Sequence, residues 1–282
     1  MELMKLLKPL IANLRFFGIC LQTPDMSKSS KISMIISVIF ILTYTVVAPF
    51  YLIKSSTKQF KLSGKSLLFI IIYYGAFIVH ALIIFETFFT RNRQFKFWNT
   101  LFEIENLNSN DKNRIQEANR CLKRRLIWSL LILTGFSLSC KFGLWIINRV
   151  LKVRGDWFMI DVTTTISQEC CRLNFFSHFL FVEILRMHVR LFNEKVKEIT
   201  KACKKIDEGA LVKELNLLKL RHNLIWKLNR KLNSFFQWAQ PFNFLHYFLN
   251  ITNLLYWIYH GTINGNFNHR KTIAKFGKVL RI

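Results

Sequence analysis

The sequence predicts an all-α protein, a polytopic transmembrane helical bundle of about five spans with a long cytoplasmic helical extension between spans four and five. Three observations carry this reading. Hydrophobic residues make up 51% of the chain, and they collect in long blocks separated by charged stretches, as expected where lipid is one of the solvents. Gly (10) and Pro (4) are too scarce for a turn-rich β protein of 282 residues. The net charge of +25 is unevenly divided between alternate inter-block segments, which is the signature of loops sorted across a bilayer.

A helix needs about 20 apolar residues to cross a bilayer core. The first block, 32–53, carries no charge and is flanked by Lys31 and Lys54. The second, 67–85, is interrupted only by His80 and is followed by Glu86, Arg91 and Arg93. The third, 126–147, follows the basic run Lys123-Arg124-Arg125 and contains Lys141. The fourth, 161–185, contains Glu169, Arg172 and Glu183. A charge at a helix centre costs about 2.5–3.5 kcal/mol on insertion scales, so this block crosses only where neighbouring helices or water cover those groups. The fifth, 235–259, is rich in aromatics, among them Trp238, Tyr247, Tyr256, Trp257 and Tyr259, as suits interfacial belts.

Residues 1–259 thus form the membrane domain, and 260–282 read as a basic tail, non-native or disordered. The first 21 residues have Pro9 and Asn13 within their apolar run, which argues against a cleavable signal and for a short interfacial helix. Between blocks four and five, Leu211, Leu215, Leu218, Ile225, Leu228 and Leu232 recur at heptad-like steps, predicting a helix packed on its neighbours.

Lys plus Arg number five, nine and thirteen in the N-terminal segment and the second and fourth connections, against four, three and five in the others. The richer side is cytoplasmic. The N-terminus is therefore expected inside, in a multi-pass protein of the plasma membrane. The basic charge itself reads as Lys and Arg facing anionic lipid rather than nucleic acid.

Catalytic signatures are missing. There is no nucleophile elbow, phosphate-binding Gly loop or dinucleotide fingerprint, and the six cysteines contain no C-x-x-C. The expectation is no enzyme, no metal and no cofactor. Asn250-Ile251-Thr252 matches a glycosylation acceptor but lies within block five, so no sugar is expected there. His80 is expected to make an inter-helix hydrogen bond.

With the N-terminus inside, the outer halves of the spans hold Tyr73, Tyr74, Lys141, Trp145, Gln168, Glu169, Arg172, Tyr256 and Trp257. Aromatic walls with a few polar groups suit a small organic ligand. Lys141 and Glu169 are charges at membrane depth, and pairing would lower the cost of both. Arg172, three residues after Glu169, shares its helix face and could complete a triad. The same groups serve equally as a structural tie between helices.

Three stretches resemble the insect gustatory receptor family. The first is Pro9-Leu10 with Arg15-Phe16-Phe17-Gly18-Ile19. The second runs from Asn174 through His178 and Glu183 to Arg186 and Arg190-Leu191-Phe192-Asn193-Glu194. The third is Leu220-Arg221-His222 through Leu228-Asn229, Leu232-Asn233 and Phe235-Phe236. The resemblance implies a taste receptor subunit that binds a small tastant in the outer half of the bundle. In that family four subunits, alike or mixed, form a ligand-gated cation channel whose seventh helix lines the pore. The family's Thr-Tyr…Gln-Phe signature of the last span is not present, so the resemblance implies a chain truncated before its sixth and seventh spans. A transporter and an odorant receptor relative are the competing readings. Against a transporter, no internal repeat or Gly/Pro-broken span is visible.

Overall fold

The computed structural model describes residues 2–19, 35, 39, 64–107, 112–150, 158–202 and 207–263. The first predicted block, apart from Ile35 and Ile39, and the chain beyond Ile263 lie outside the described residues. Among those described there is no β-strand. The helices are α1 (Glu2–Phe16), α2 (Gly64–Leu107), α3 (Lys112–Leu130), α4 (Phe136–Val150), α5 (Phe158–Ala202), α6 (Glu208–Phe235) and α7 (Ala239–Ile263), with a π-helical turn at Leu131–Gly135 joining α3 to α4. The all-α membrane architecture expected from the sequence is the one observed.

The helices divide into two compact units. One comprises Met1–Ile35, Glu86–Ser129 and Phe176–Gln237, the other Ile36–Phe85, Leu130–Phe175 and Trp238–Ile282.

The first unit has an apolar, aromatic core. Phe97 and Trp98 of α2, Phe181 of α5 and Phe235 of α6 are all buried. Phe97 meets Phe181 edge-on at 5.0 Å and Phe235 at 5.6 Å, and Phe181 meets Phe235 at 5.3 Å. Each such pair contributes about 0.5–1.5 kcal/mol beyond its buried area. Polar side chains tie the rim: Arg93 Nη1 donates to the Ser234 carbonyl at 2.6 Å, and Lys231 Nζ to the Lys96 carbonyl at 3.0 Å. Partial burial pushes the Lys231 ammonium below its ordinary pKa.

Helix α1 corrects the expectation of an interfacial helix. Leu3, Leu7, Leu10, Ile11 and Leu14 recur at helical spacing and are buried, so the apolar stripe packs inside the first unit instead of lying in lipid. The helix ends on Gly18, whose φ of 73° is open to glycine at no steric cost. Gly18 N–H reaches the Arg15 carbonyl and Ile19 N–H the Leu14 carbonyl, each at 2.9 Å, the paired bonds of a Schellman end.

The heptad-like stripe on α6 is also narrower than its spacing suggested. The buried residues are Arg221, Leu224, Ile225, Leu228, Leu232 and Phe235, whereas Leu215 is exposed. The helix starts at Asp207, whose carboxylate accepts from Gly209 N–H at 3.1 Å and satisfies one orphan donor.

The second unit is built the other way out. On α7, Asn243, His246 and Asn253 are buried, while Phe242, Phe244, Leu245, Phe248, Ile251 and Leu255 are exposed. Helix α4 likewise exposes Phe136, Leu138 and Phe142 and buries Ser137. Apolar surface of this extent outside and polar groups inside mark a helix bundle solvated by lipid. Two described helical stretches, Tyr74–Leu107 and Asn113–Gly143, are long and apolar enough to cross a membrane.

Helices α2 and α5 run to 44 and 45 residues, about twice what a bilayer crossing takes. Each continues past the charged residue at which its apolar block ends. The apolar block 235–259 is itself broken: α6 ends at Phe235, held in the aromatic core, and α7 begins at Ala239.

Candidate functional site: a polar cluster among apolar helices

The π-helical turn at Leu131–Gly135 lies within the third apolar block. Thr134 adds to the loosening by bonding back to the Leu130 carbonyl at 2.7 Å. Turns of this kind hold a surplus residue and reset the faces beyond them, and they concentrate at functional sites. Here the reset face is that of Ser137 and Lys141, one helical turn apart on α4.

That face meets α5. Ser137 Oγ donates to Glu169 Oε1 at 2.9 Å. Arg172 Nη1 engages both Ser137 Oγ and Glu169 Oε1. One turn along α4, Lys141 Nζ donates to Gln168 Oε1 at 2.6 Å. Glu169 and Gln168 are buried and Arg172 half-buried. Of the expected triad, Arg172 reaches back one turn of its own helix to Glu169, and Lys141 also reaches the neighbouring Gln168.

Helix α7 closes the cluster. Asn243 Nδ2 donates to the Cys171 carbonyl at 2.8 Å, and Gln240 Nε2 to that of Asn174 at 3.2 Å. The Tyr247 ring packs on Phe175 at 5.2 Å. Its hydroxyl is buried within the field of Arg172 and Glu169, without a well-formed hydrogen bond among the described residues. From α2, the His80 ring pairs with Ser167 Oγ at 3.1 Å, the inter-helix bond expected of it. Gly75 allows α2 to pass close to α7, since a Cβ there would stand 3.0 Å from His246 Nδ1.

Of the residues singled out by sequence, Lys141, Gln168, Glu169 and Arg172 are brought together. Tyr74 is half-buried on α2, and Tyr256 is exposed on α7. The side chains of Tyr73, Trp145 and Trp257 lie outside the described residues. Sequence reasoning missed Ser137, Asn243 and Tyr247 as members. Ser137 stands one turn before Lys141 on the same face, a weak signal for a Ser in an apolar run. Tyr247 had only its aromatic character as a signal.

The cluster brings together one carboxylate, two cations, amides, a hydroxyl and a phenol, all able to hydrogen-bond. A helical bundle with an apolar surface and a polar interior is compatible with a receptor and with a transporter, and fold alone does not assign the role. Comparison with protein families decides between them: the 7tm chemosensory receptor family model matches residues 7–274. The chain belongs to that family and is a chemosensory membrane receptor. The match runs past Tyr259 into the stretch that composition set apart as a tail. Comparison with curated proteins and with solved structures gives no significant match.

Proposed function

We propose that the chain is a gustatory receptor subunit of the plasma membrane, with a cytoplasmic N-terminus, that binds a small polar tastant at the Ser137–Glu169–Arg172 cluster. Complete receptors of this kind would assemble as tetramers and gate cations, with the five apolar blocks as the crossing segments of residues 1–259. The observation that supports the binding reading most is the Tyr247 hydroxyl. It is buried beside Glu169 and Arg172, with the Arg172 guanidinium as its hydrogen-bonding neighbour and no well-formed bond among the described residues, so a ligand hydroxyl or amine would add a partner there. Lys141, one turn from Ser137 on α4, and the Gln168 amide that it holds would fix its orientation.

The test is calcium entry in cells expressing the full chain, alone and with other receptor subunits, under soluble tastants and then volatile odorants. A tastant response that is weakened by Gln168→Leu, at unchanged surface expression, supports the reading. A response confined to volatiles, or one indifferent to Gln168→Leu, overturns it. An N-terminal epitope stained in intact cells without permeabilisation would reverse the orientation.

A further inference from the structure

A second candidate site lies within the first unit. Helices α3 and α5 enclose a cavity of about 370 Å³, inside the range of roughly 300–1,000 Å³ typical of small-ligand sites. Four arginines line it, Arg114, Arg125, Arg186 and Arg190, against three glutamates, Glu117, Glu183 and Glu194.

Two of these glutamates act as clamps. The nearly buried Glu183 carboxylate holds Arg125 from α3 at 2.6 Å and Arg186 from its own helix at 3.2 Å. Glu194 holds Arg190 through Nε at 2.9 Å. A guanidinium has five N–H donors, and each of these contacts uses one nitrogen. The three guanidiniums are fixed in place, yet their side chains remain 55%, 72% and 78% exposed. Pre-oriented, solvated arginines with donors to spare suit phosphate oxygens, which they can grip bidentately.

The cavity also has a fixed depth. Arg125 immediately precedes the third apolar block, and Glu183 and Arg186 bracket the end of the fourth. On the bilayer side, one turn from these groups, stand exposed Trp128 and Phe179. A charged cup with an apolar lip at the membrane boundary matches an amphiphile rather than a free ion. Lys123 and Arg124 add cationic charge beside it.

We infer that the Arg114–Arg125–Arg186–Arg190 cavity binds the phosphorylated headgroup of an anionic membrane lipid, with its acyl chains against Trp128 and Phe179. Such a site couples the receptor to the lipid composition of its leaflet. The depth of the cavity rests on the crossing segments proposed above, and the naming of the cytoplasmic leaflet on the orientation proposed there.

Cys121 lines the cavity and is an exposed free thiol, so it reports occupancy directly. The full chain is placed in phosphatidylcholine nanodiscs with or without phosphatidylinositol bisphosphate. Maleimide labelling is followed, and Cys121→Ser defines the part due to that thiol. The lipid is expected to slow Cys121 labelling at least about tenfold. Arg186→Gln with Arg190→Gln restores the rate, Arg190→Gln alone restores part of it, and Arg230→Gln, outside the cavity, restores none. Equal labelling with and without the lipid overturns the site. Protection indifferent to the arginine substitutions overturns it as well. Equal protection by soluble inositol trisphosphate, in nanodiscs lacking the lipid, makes the ligand a free phosphate compound and overturns the lipid assignment. No tastant enters the experiment, so its failure is separate from failure of the receptor reading.

Discussion

Two glutamates fourteen residues apart on α5 carry the same local motif, each with an arginine three residues later. Glu169 and Arg172 sit among apolar helices, where the Arg172 side chain is 19% exposed. Glu183 and Arg186 sit at the edge of a charged cavity, where the Arg186 side chain is 72% exposed. Both carboxylates are nearly buried. The difference lies in what else reaches them. Glu169 receives a neutral hydroxyl, Ser137, as its inter-helix donor. Glu183 receives a second guanidinium, Arg125. An identical sequence motif is thus a buried, mutually dependent ion pair in one place and a solvated fork in the other. Environment, not spacing, sets what each is worth.

The largest expected effect is at the buried pair. Arg172→Ala leaves the Glu169 charge without its cation and should cost about 3 kcal/mol, seen as a sharp fall in thermal unfolding temperature in detergent. Glu169→Gln with Arg172→Gln together should recover most of it, because no buried charge remains. A neutral Arg172→Ala would place the two motifs on the same footing and end the contrast.

Acid provides the next test, at a buried group of the first unit that stands two residues after Arg186. His188 is fully buried, and neither ring nitrogen has a hydrogen-bond partner among the described residues. Burial, helped by the Arg221 charge, pushes its pKa from 6.5 down to about 3. The unfolded chain takes up a proton at a pH where the folded chain does not. Stability is therefore full above pH 6.5 and declines as pH falls from 6.5 toward 3. The loss should reach about 2 kcal/mol near pH 5. His188→Gln should flatten that slope in unfolding measured at successive pH values. A slope left unchanged would assign the acid sensitivity to other groups.

A smaller change is expected at the solvated fork. Glu183→Gln releases Arg125 and Arg186 into water and should cost about 1 kcal/mol. A cost equal to that of Arg172→Ala would show that exposure does not distinguish the two sites. Smallest of all for stability is Tyr247→Phe, within about 0.5 kcal/mol, since its hydroxyl has no well-formed hydrogen bond among the described residues. The same substitution should weaken the tastant response roughly fivefold to tenfold. An unchanged response would remove Tyr247 from the binding site.

Much of this was legible in sequence because lipid solvation writes itself into long runs. The helices of the apolar blocks from the second onward and the helical extension after block four follow from composition along the chain. What did not follow depends on which neighbour is nearest. Lys141 and Glu169 have opposite charges on consecutive blocks, yet Arg172 lies one turn from Glu169 and engages it on its own helix. The amphipathic α1 resembled a lipid-surface helix, because an apolar stripe has the same period whether lipid or Phe-rich protein covers it. Ser137 and Asn243 gave no strong signal, since a single Ser or Asn in an apolar run is an ordinary helix residue until its partner is known. The charged cavity was invisible as well, because its arginines come from two helices about sixty residues apart in the chain.

The surplus residue in the Leu131–Gly135 turn makes the third apolar block a vernier. Everything beyond it keeps its rotational setting only while that residue is accommodated there. Each residue added to or taken from an α-helix turns the remainder by about 100°. Deletion of a single residue within the turn would carry Ser137 and Lys141 off Glu169 and Gln168 while every side chain in the cluster stayed as it is. A receptor lineage can thereby redraw which groups face its ligand by altering helix phase rather than contact residues, a change that no tally of substitutions in the pocket would register.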